Sequence, residues 1–206
     1  MAVLALVLFV VWVLLAGVGR ILLQRYRTGD TGIRSFTARL GSRQWWANRI
    51  IEAGGVVVGV AAPAAHLAGL DPLPVLDWTG LRYTGVALAV VGIVATSAAQ
   101  LAMGGSWRIG VDPAERTTLV TAGPFAVVRN PIFTAAAASF TGLALIVPNP
   151  VAIAGLALFL TGVELQVRIV EEPYLRATHG RAYERYATRV GRFLPGVGRL
   201  RAGTRR

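Results

Sequence analysis

Four ionisable residues stand where an apolar stretch gives way to a polar tail: Glu164, Arg168, Glu171 and Glu172. At about 100° per residue on a helix, Glu164, Arg168 and Glu171 fall within about 60° of one another, with Glu172 about 40° beyond Arg168. That spacing offers two chemistries. Opposite charges three and four residues apart neutralise one another, giving an ion-paired stripe that closes one end of a helix bundle. Alternatively, the stripe lines a polar, partly hydrated pocket, where carboxylates hold a cation or take up a proton and an arginine grips an anion. Ionisable groups inside a membrane span cost roughly 2.5–3.5 kcal/mol each at mid-membrane, so their presence calls for one role or the other.

The remaining candidates are weaker. Glu52 opens a second apolar run beside Arg49, an interface position. His66 is alone on an apolar stretch and reads as a packing residue, whereas His179 lies in the polar tail and reads as solvated. Neither histidine has a carboxylate at ligand spacing, so no metal site is expected. The chain contains no cysteine, which excludes disulfides, thiolate metal sites and cysteine nucleophiles. No Walker loop, no dinucleotide glycine fingerprint after a strand and no serine elbow occurs.

The elements that must position these residues are membrane helices. Of 206 residues, 54% are hydrophobic and 15% charged, with a mean hydropathy of +0.58; a soluble domain carries about 25% charged residues. Five long apolar runs account for the difference, at residues 2–19, 50–70, 83–103, 132–147 and 151–170. The first lacks a basic start and a small-residue cleavage site, and is expected to be a retained helix. Trp45 and Trp46 precede the second, where an aromatic belt marks an interface. Within it, Gly55-Val-Val-Val-Gly59 has the spacing of small residues that lets helices approach closely. Pro148-Asn149-Pro150 breaks the fourth run from the fifth.

Charge then sets orientation. The formal charge is +11 and all 21 basic residues are arginine. Segments 20–49, 104–131 and 168–206 hold seven, three and ten of them, leaving Arg82 alone on the other side. Arginine excess marks cytoplasmic loops, so the basic balance reads as topology and no nucleic-acid partner is expected. The expected fold is an all-α integral membrane protein of about five transmembrane helices, N-terminus out and C-terminus in, in the inner or plasma membrane. A cytoplasmic amphipathic helix over 172–192 is expected to carry Tyr174, Leu175, Tyr183, Tyr186 and Val190 on its apolar face. The chain divides into a three-span region at 1–103, a region with a helical hairpin at 104–195 and a basic tail at 196–206.

Residues 104–195 resemble the C-terminal half of the isoprenylcysteine carboxyl methyltransferase family and its phospholipid N-methyltransferase relatives. The resemblance rests on Leu119-Val-Thr-Ala-Gly123-Pro-Phe-Ala-Val-Val-Arg129-Asn130-Pro131-Ile-Phe133, the following hairpin, Glu171-Glu172-Pro-Tyr-Leu175, then Gly180, Tyr183, Tyr186 and Arg192-Phe-Leu-Pro195. It implies S-adenosylmethionine enclosed at the cytoplasmic face, with Gly123, Asn130, Pro131, Phe133, Glu171, Glu172 and Tyr183 around it. Arg129 is implicated with them, and if the acceptor is a carboxylate, Arg129 or Arg168 is expected to orient it by forked hydrogen bonds. Such an acceptor, ionised at neutral pH, needs no base, whereas an amine requires one of the glutamates. The chain departs from the family pattern at Asn130 for histidine, Phe133 for tyrosine and Ala135 for glycine; asparagine keeps hydrogen bonding but loses titration near neutrality. The expected activity is methyl transfer to a small lipophilic molecule or lipid within the membrane. Two alternatives stand beside it: a relative of the membrane sterol and steroid reductases, using a reduced nicotinamide cofactor, and a non-catalytic membrane binding protein.

Overall fold

The computed structural model describes residues 1–34, 38–112, 115 and 118–201. Arg116 and the end of the basic tail, 202–206, lie outside the described residues. Each expected apolar run forms a helix: α1 Ala2–Thr28, α2 Arg43–Leu67, α3 Thr79–Ala102, α4 Pro131–Ile146 and α5 Pro150–His179. A short α6, Arg181–Arg189, follows. Among the described residues no sheet forms, only two isolated bridges, Ile33 with Ile109 and Val128 with Gly191.

Four of these helices are long and apolar enough to cross a membrane; α4, with 16 residues, is shorter. At about 1.5 Å per residue α4 covers about 24 Å, against a hydrocarbon thickness of about 30 Å. The helices also extend past the apolar runs into polar residues, because a capped backbone continues where hydropathy falls. At the start of α2, the Ser42 hydroxyl accepts the Trp45 amide hydrogen at 3.2 Å, so both tryptophans ride on the helix.

Close pairing organises the bundle. Antiparallel α3 and α4 meet through small residues: a Cβ on Gly142 would stand 2.4 Å from the Ala89 nitrogen. Antiparallel α2 and α5 do the same, a Cβ on Gly54 falling 2.4 Å from the Phe159 nitrogen. Without side chains at these crossings the backbones touch, which is how helices associate where no water drives them together. Gly55 and Gly59 receive aromatic rings, those of Phe140 and Phe9 respectively. Phe140 is the centre of the core, with Phe159 at 4.3 Å and Trp12 at 5.0 Å between ring centroids.

The bundle has two unlike ends. At one, Asn149 is fully buried, its Oδ1 accepting from the Ala152 amide and its Nδ2 donating to the Ala62 carbonyl, both at 2.9 Å. The same end holds Arg82, ion-paired with Asp77. At the other end Arg20 donates to the Gly104 carbonyl at 2.8 Å, Gln24 to Gly105 at 3.0 Å, and Tyr174 to the Glu115 carbonyl at 2.5 Å. The segment joining α1 to α2, the segment joining α3 to α4 and the chain beyond α5 therefore gather together, and with them the arginine-rich stretches. A space opens there because α4 begins early. Gly92 faces Ala135 and Ser139, which sets Pro131 about level with Ala98 while α3 runs on to Ala102.

Candidate active site

That space is a cavity of about 430 Å³ at the arginine-rich end, walled by all five long or apolar helices and by α6. Its size lies within the roughly 300–1,000 Å³ of small-molecule sites.

The segment before α4 is fastened to the chain beyond α6. The Arg129 amide donates to the Gly191 carbonyl at 2.8 Å, the Asn130 amide and Nδ2 both donate to Arg192 at 3.1 Å, and the Thr134 hydroxyl donates to Phe193 at 2.9 Å. Asn130 precedes Pro131 as the cap residue but makes no side-chain cap bond, so its side chain leaves the Ile132 and Phe133 amides of the first turn uncapped. Asn130, Pro131 and Phe133 all line the cavity.

Arg129 is buried, and both of its terminal nitrogens are engaged. Its Nη2 donates to Glu172 Oε1 at 2.7 Å and to the Gly198 carbonyl at 3.1 Å, while Nη1 donates to the Val190 and Ala187 carbonyls at 2.6 and 3.1 Å. Glu172 is clasped from its other side by Arg192, at 2.7 and 3.0 Å; that contact raises the Arg192 pKa. This knot of two arginines and one carboxylate ties the α4 entry, α5 and the tail together. Arg129 borders the cavity, but Glu172 does not.

Glu171 and Glu172 point different ways, and Arg168 points elsewhere again. From Gln166 to Glu171 the hydrogen bonds of α5 widen to i→i+5, which breaks the regular angular advance on which the expected stripe depends. Arg168 pairs with Glu164 on the outside of the bundle, about half exposed, away from the cavity. Glu171 faces the cavity, where its Oε1 accepts from Gln166 Nε2 at 3.2 Å and forms no ion pair among the described residues. Gly123 is not at the wall; with a φ of +60° it opens the turn that carries Phe125 there. Tyr183 lines the cavity and is almost wholly buried, as is Tyr186, whose hydroxyl donates to the Phe125 carbonyl at 2.6 Å. Burial pushes the Tyr183 phenol up and that of Tyr186 up to about 12, so both stay protonated.

A second charged cluster straps the cavity's mouth. Arg34 donates from Nε to Glu115 Oε1 at 2.8 Å and pairs also with Asp30, while Arg108 donates to Glu115 Oε2 at 3.0 Å. The hydrogen bonds from Arg34 hold both carboxyls below the usual carboxylate range. Three amides that the motif reasoning passed over, Asn48, Gln100 and Gln166, are buried in the wall; the signal available was a polar side chain within an apolar run.

Residues 81–182 match the sequence profile of the phospholipid methyltransferase family. This stretch belongs to that family. It supplies α3, α4, α5 and the glutamate pair, and so most of the cavity wall; α1, α2 and α6 complete it from outside the matched region. No curated protein sequence matches the chain. Among solved structures, the fold is similar to that of a eukaryotic intramembrane Ras methyltransferase, an isoprenylcysteine carboxyl methyltransferase, at 21% identity and a TM-score of 0.55. The match covers 88% of this chain and 62% of that one, so the chain spans less than two thirds of that enzyme's length. At this identity the similarity is one of fold.

Proposed function

We propose that the chain is an integral membrane methyltransferase that uses S-adenosylmethionine on a small lipophilic acceptor. Glu171 carries the reading. The arginines that border the cavity, Arg129 and Arg108, each face a carboxylate partner, whereas Glu171 is a carboxylate with no cationic partner among the described residues. A carboxyl half-buried beside an apolar cavity ionises only at a cost that a counter-charge offsets, and a sulfonium cofactor brings one. When bound, S-adenosylmethionine supplies an electrophilic methyl group on a positively charged sulfur.

The chain's own residues then have separable tasks. Glu171 offsets the positive charge, and Tyr174 and Tyr183 offer electron-rich rings at the same wall. The positive dipole end of α4, whose first turn brings Ile132 and Phe133 to the wall, favours an anionic group. Arg129 acts as a positioning residue, holding Glu172 and the tail so that α6 closes the cavity. The Glu164–Arg168 pair serves the outer surface of α5. With arginines gathered at this end, the cavity opens toward the cytoplasm.

Calorimetric titration of the detergent-purified protein tests the reading. S-adenosylhomocysteine should bind and reduced nicotinamide dinucleotides should not, with Glu171→Gln weakening the former by at least about tenfold, or about 1.4 kcal/mol. Folded protein that ignores S-adenosylhomocysteine, or prefers the dinucleotide, would refute it.

A further inference from the structure

The chain just beyond α6 turns back into the bundle. The Thr134 hydroxyl donates to the Phe193 carbonyl at 2.9 Å, and in the register set by Gly92 Thr134 stands about level with Ala95. Ala95 lies seven residues before the end of α3 at Ala102, which at about 1.5 Å per residue is about 10 Å. Phe193 is therefore held at the depth of the apolar helices, and its side chain packs against their core. Leu194 and Val197 beside it are 58% and 61% exposed. On the outside of the bundle at that depth, such surface meets acyl chains.

A loop so placed must satisfy its own backbone, because acyl chains offer no hydrogen bonds. The Gly191, Arg192, Phe193 and Gly198 carbonyls accept from Arg129, Asn130 and Thr134. Those of Leu194 and Val197 accept from amides within the loop, at 3.1 and 2.7 Å. Folding this tightly needs glycine: a Cβ on Gly191 would stand 2.1 Å from the Leu194 carbonyl oxygen, and Gly196 and Gly198 hold φ at +77° and +71°. The loop also lies where apolar surface is missing. The helix it grips, α4, covers about 24 Å of a hydrocarbon layer about 30 Å thick.

The rim of the loop is basic. Residues 180–201 hold six arginines against one acid, Glu184. Arg199 and Arg201 are exposed, and the Arg199 guanidinium stands 3.5 Å from where a Cβ on Gly196 would lie, at the loop's apex. An arginine can keep its stem against apolar surface while its head reaches a phosphate. From depth, exposure and charge together, we propose that residues 191–201 form an interfacial anchor in the leaflet at the arginine-rich end. Leu194 and Val197 enter the acyl boundary, and Arg199 and Arg201 bind the headgroup phosphates of anionic phospholipids. This role is independent of what the cavity binds. An apolar tip with a basic rim fits a membrane surface, whereas an acidic protein would leave Leu194 and Val197 unmatched.

The chain has no cysteine, so Leu194→Cys carries a single environment-sensitive fluorophore on the full protein. In lipid nanodiscs that label should be quenched by nitroxides on the acyl chains and shielded from aqueous iodide, relative to the same label in Arg185→Cys on the exposed face of α6. Iodide quenching at 194 as strong as at 185 overturns the proposal. The second arm titrates the labelled protein in detergent with dioctanoyl phosphatidylglycerol and dioctanoyl phosphatidylcholine. A basic group near an anionic surface contributes roughly fivefold in affinity, so two arginines should make the anionic lipid bind at least about tenfold more tightly. Arg199→Gln with Arg201→Gln should bring the two lipids within about twofold of each other. Equal affinity before those changes overturns the headgroup assignment, in a comparison that needs no arginine variant. Tighter binding of a poly-glutamate peptide than of phosphatidylglycerol also overturns it, in favour of an acidic protein partner. Val197→Cys carries the label through the same measurements should Leu194→Cys not fold.

Discussion

Replacing Glu172 by glutamine separates a residue that holds the fold from one that holds a ligand. The carboxylate accepts from Arg129 at 2.7 Å and from Arg192 at 2.7 and 3.0 Å, and the side chains of Arg129 and Glu172 keep only 2% and 6% of their surface exposed. Glu172→Gln retains the shape and one acceptor oxygen but leaves the Arg129 guanidinium charged, buried and without an anion. Breaking a buried pair from one side costs about 3–5 kcal/mol. In a chain of 206 residues each kcal/mol moves Tm by about 2–4 °C, so the variant should melt roughly 6–20 °C lower. Thermal unfolding in detergent, followed by intrinsic fluorescence, measures this directly. Arg129→Met supplies the control. Combined with Glu172→Gln it should cost less than the two single effects summed, by about 0.5–3 kcal/mol, because the second change removes the stranded charge. The reasoning fails if Glu172→Gln keeps its Tm within about 2 °C while losing S-adenosylhomocysteine affinity. That outcome would return Glu172 to the cofactor-holding role implied by the family resemblance.

Two further outcomes are expected. Because Arg34 depresses the pKa of both Asp30 and Glu115, the strap's contribution is complete above their unfolded values of about 3.9 and 4.3 and is lost as pH falls through the lower folded values. Hydrogen-exchange protection of the Ile109 and Arg34 amides, which bridge the two segments, should be level from pH 8 to about 5 and decline below about 4; a decline beginning near pH 6 would contradict the assignment. A cysteine-accessibility scan should label position 72 from outside the cell and position 110 only after the membrane is opened, and the reverse pattern would overturn the proposed orientation.

Much of the fold was legible because hydropathy reports burial in lipid directly. Long apolar runs allow little besides helices there, and Pro148-Asn149-Pro150 marks the hairpin through backbone chemistry alone. The shortness of α4 was legible too: its run at 132–147 is the shortest of the five, and Pro131 after Asn130 marks where the helix starts. Within the site, motif order pointed to Asn130, Pro131, Phe133, Glu171 and Tyr183, and the cavity collects all five. Arg129 and Glu172 have the composition of ligand-binding groups, yet their partners come from residues 43 and 20 positions away, a pairing that no local spacing encodes. The amides Asn48, Gln100 and Gln166 were hidden for a different reason: each is a single neutral residue in a long helix, and only the folding of three helices makes them one wall.

The separation of Glu171 from Glu172 shows most clearly what local spacing omits. Adjacent residues on a helix already diverge by about 100°, but the regular helix would still have kept Glu171 beside Glu164 and Arg168, inside the outer ion-paired stripe. The widened turn over Gln166–Glu171 removes that option. Glu164 and Arg168 stay on the outer surface, Glu172 enters the arginine knot, and Glu171 comes to the cavity with Gln166 as its hydrogen-bond partner. The charge balance follows from this one irregularity. At an end crowded with arginines, the carboxylates Glu115, Glu164 and Glu172 are all matched, and the widened turn of α5 keeps Glu171 out of the outer stripe. A regular helix at this position would keep Glu171 on the outer ion-paired face; the irregular one leaves its carboxyl facing the cavity proposed to hold a positively charged cofactor.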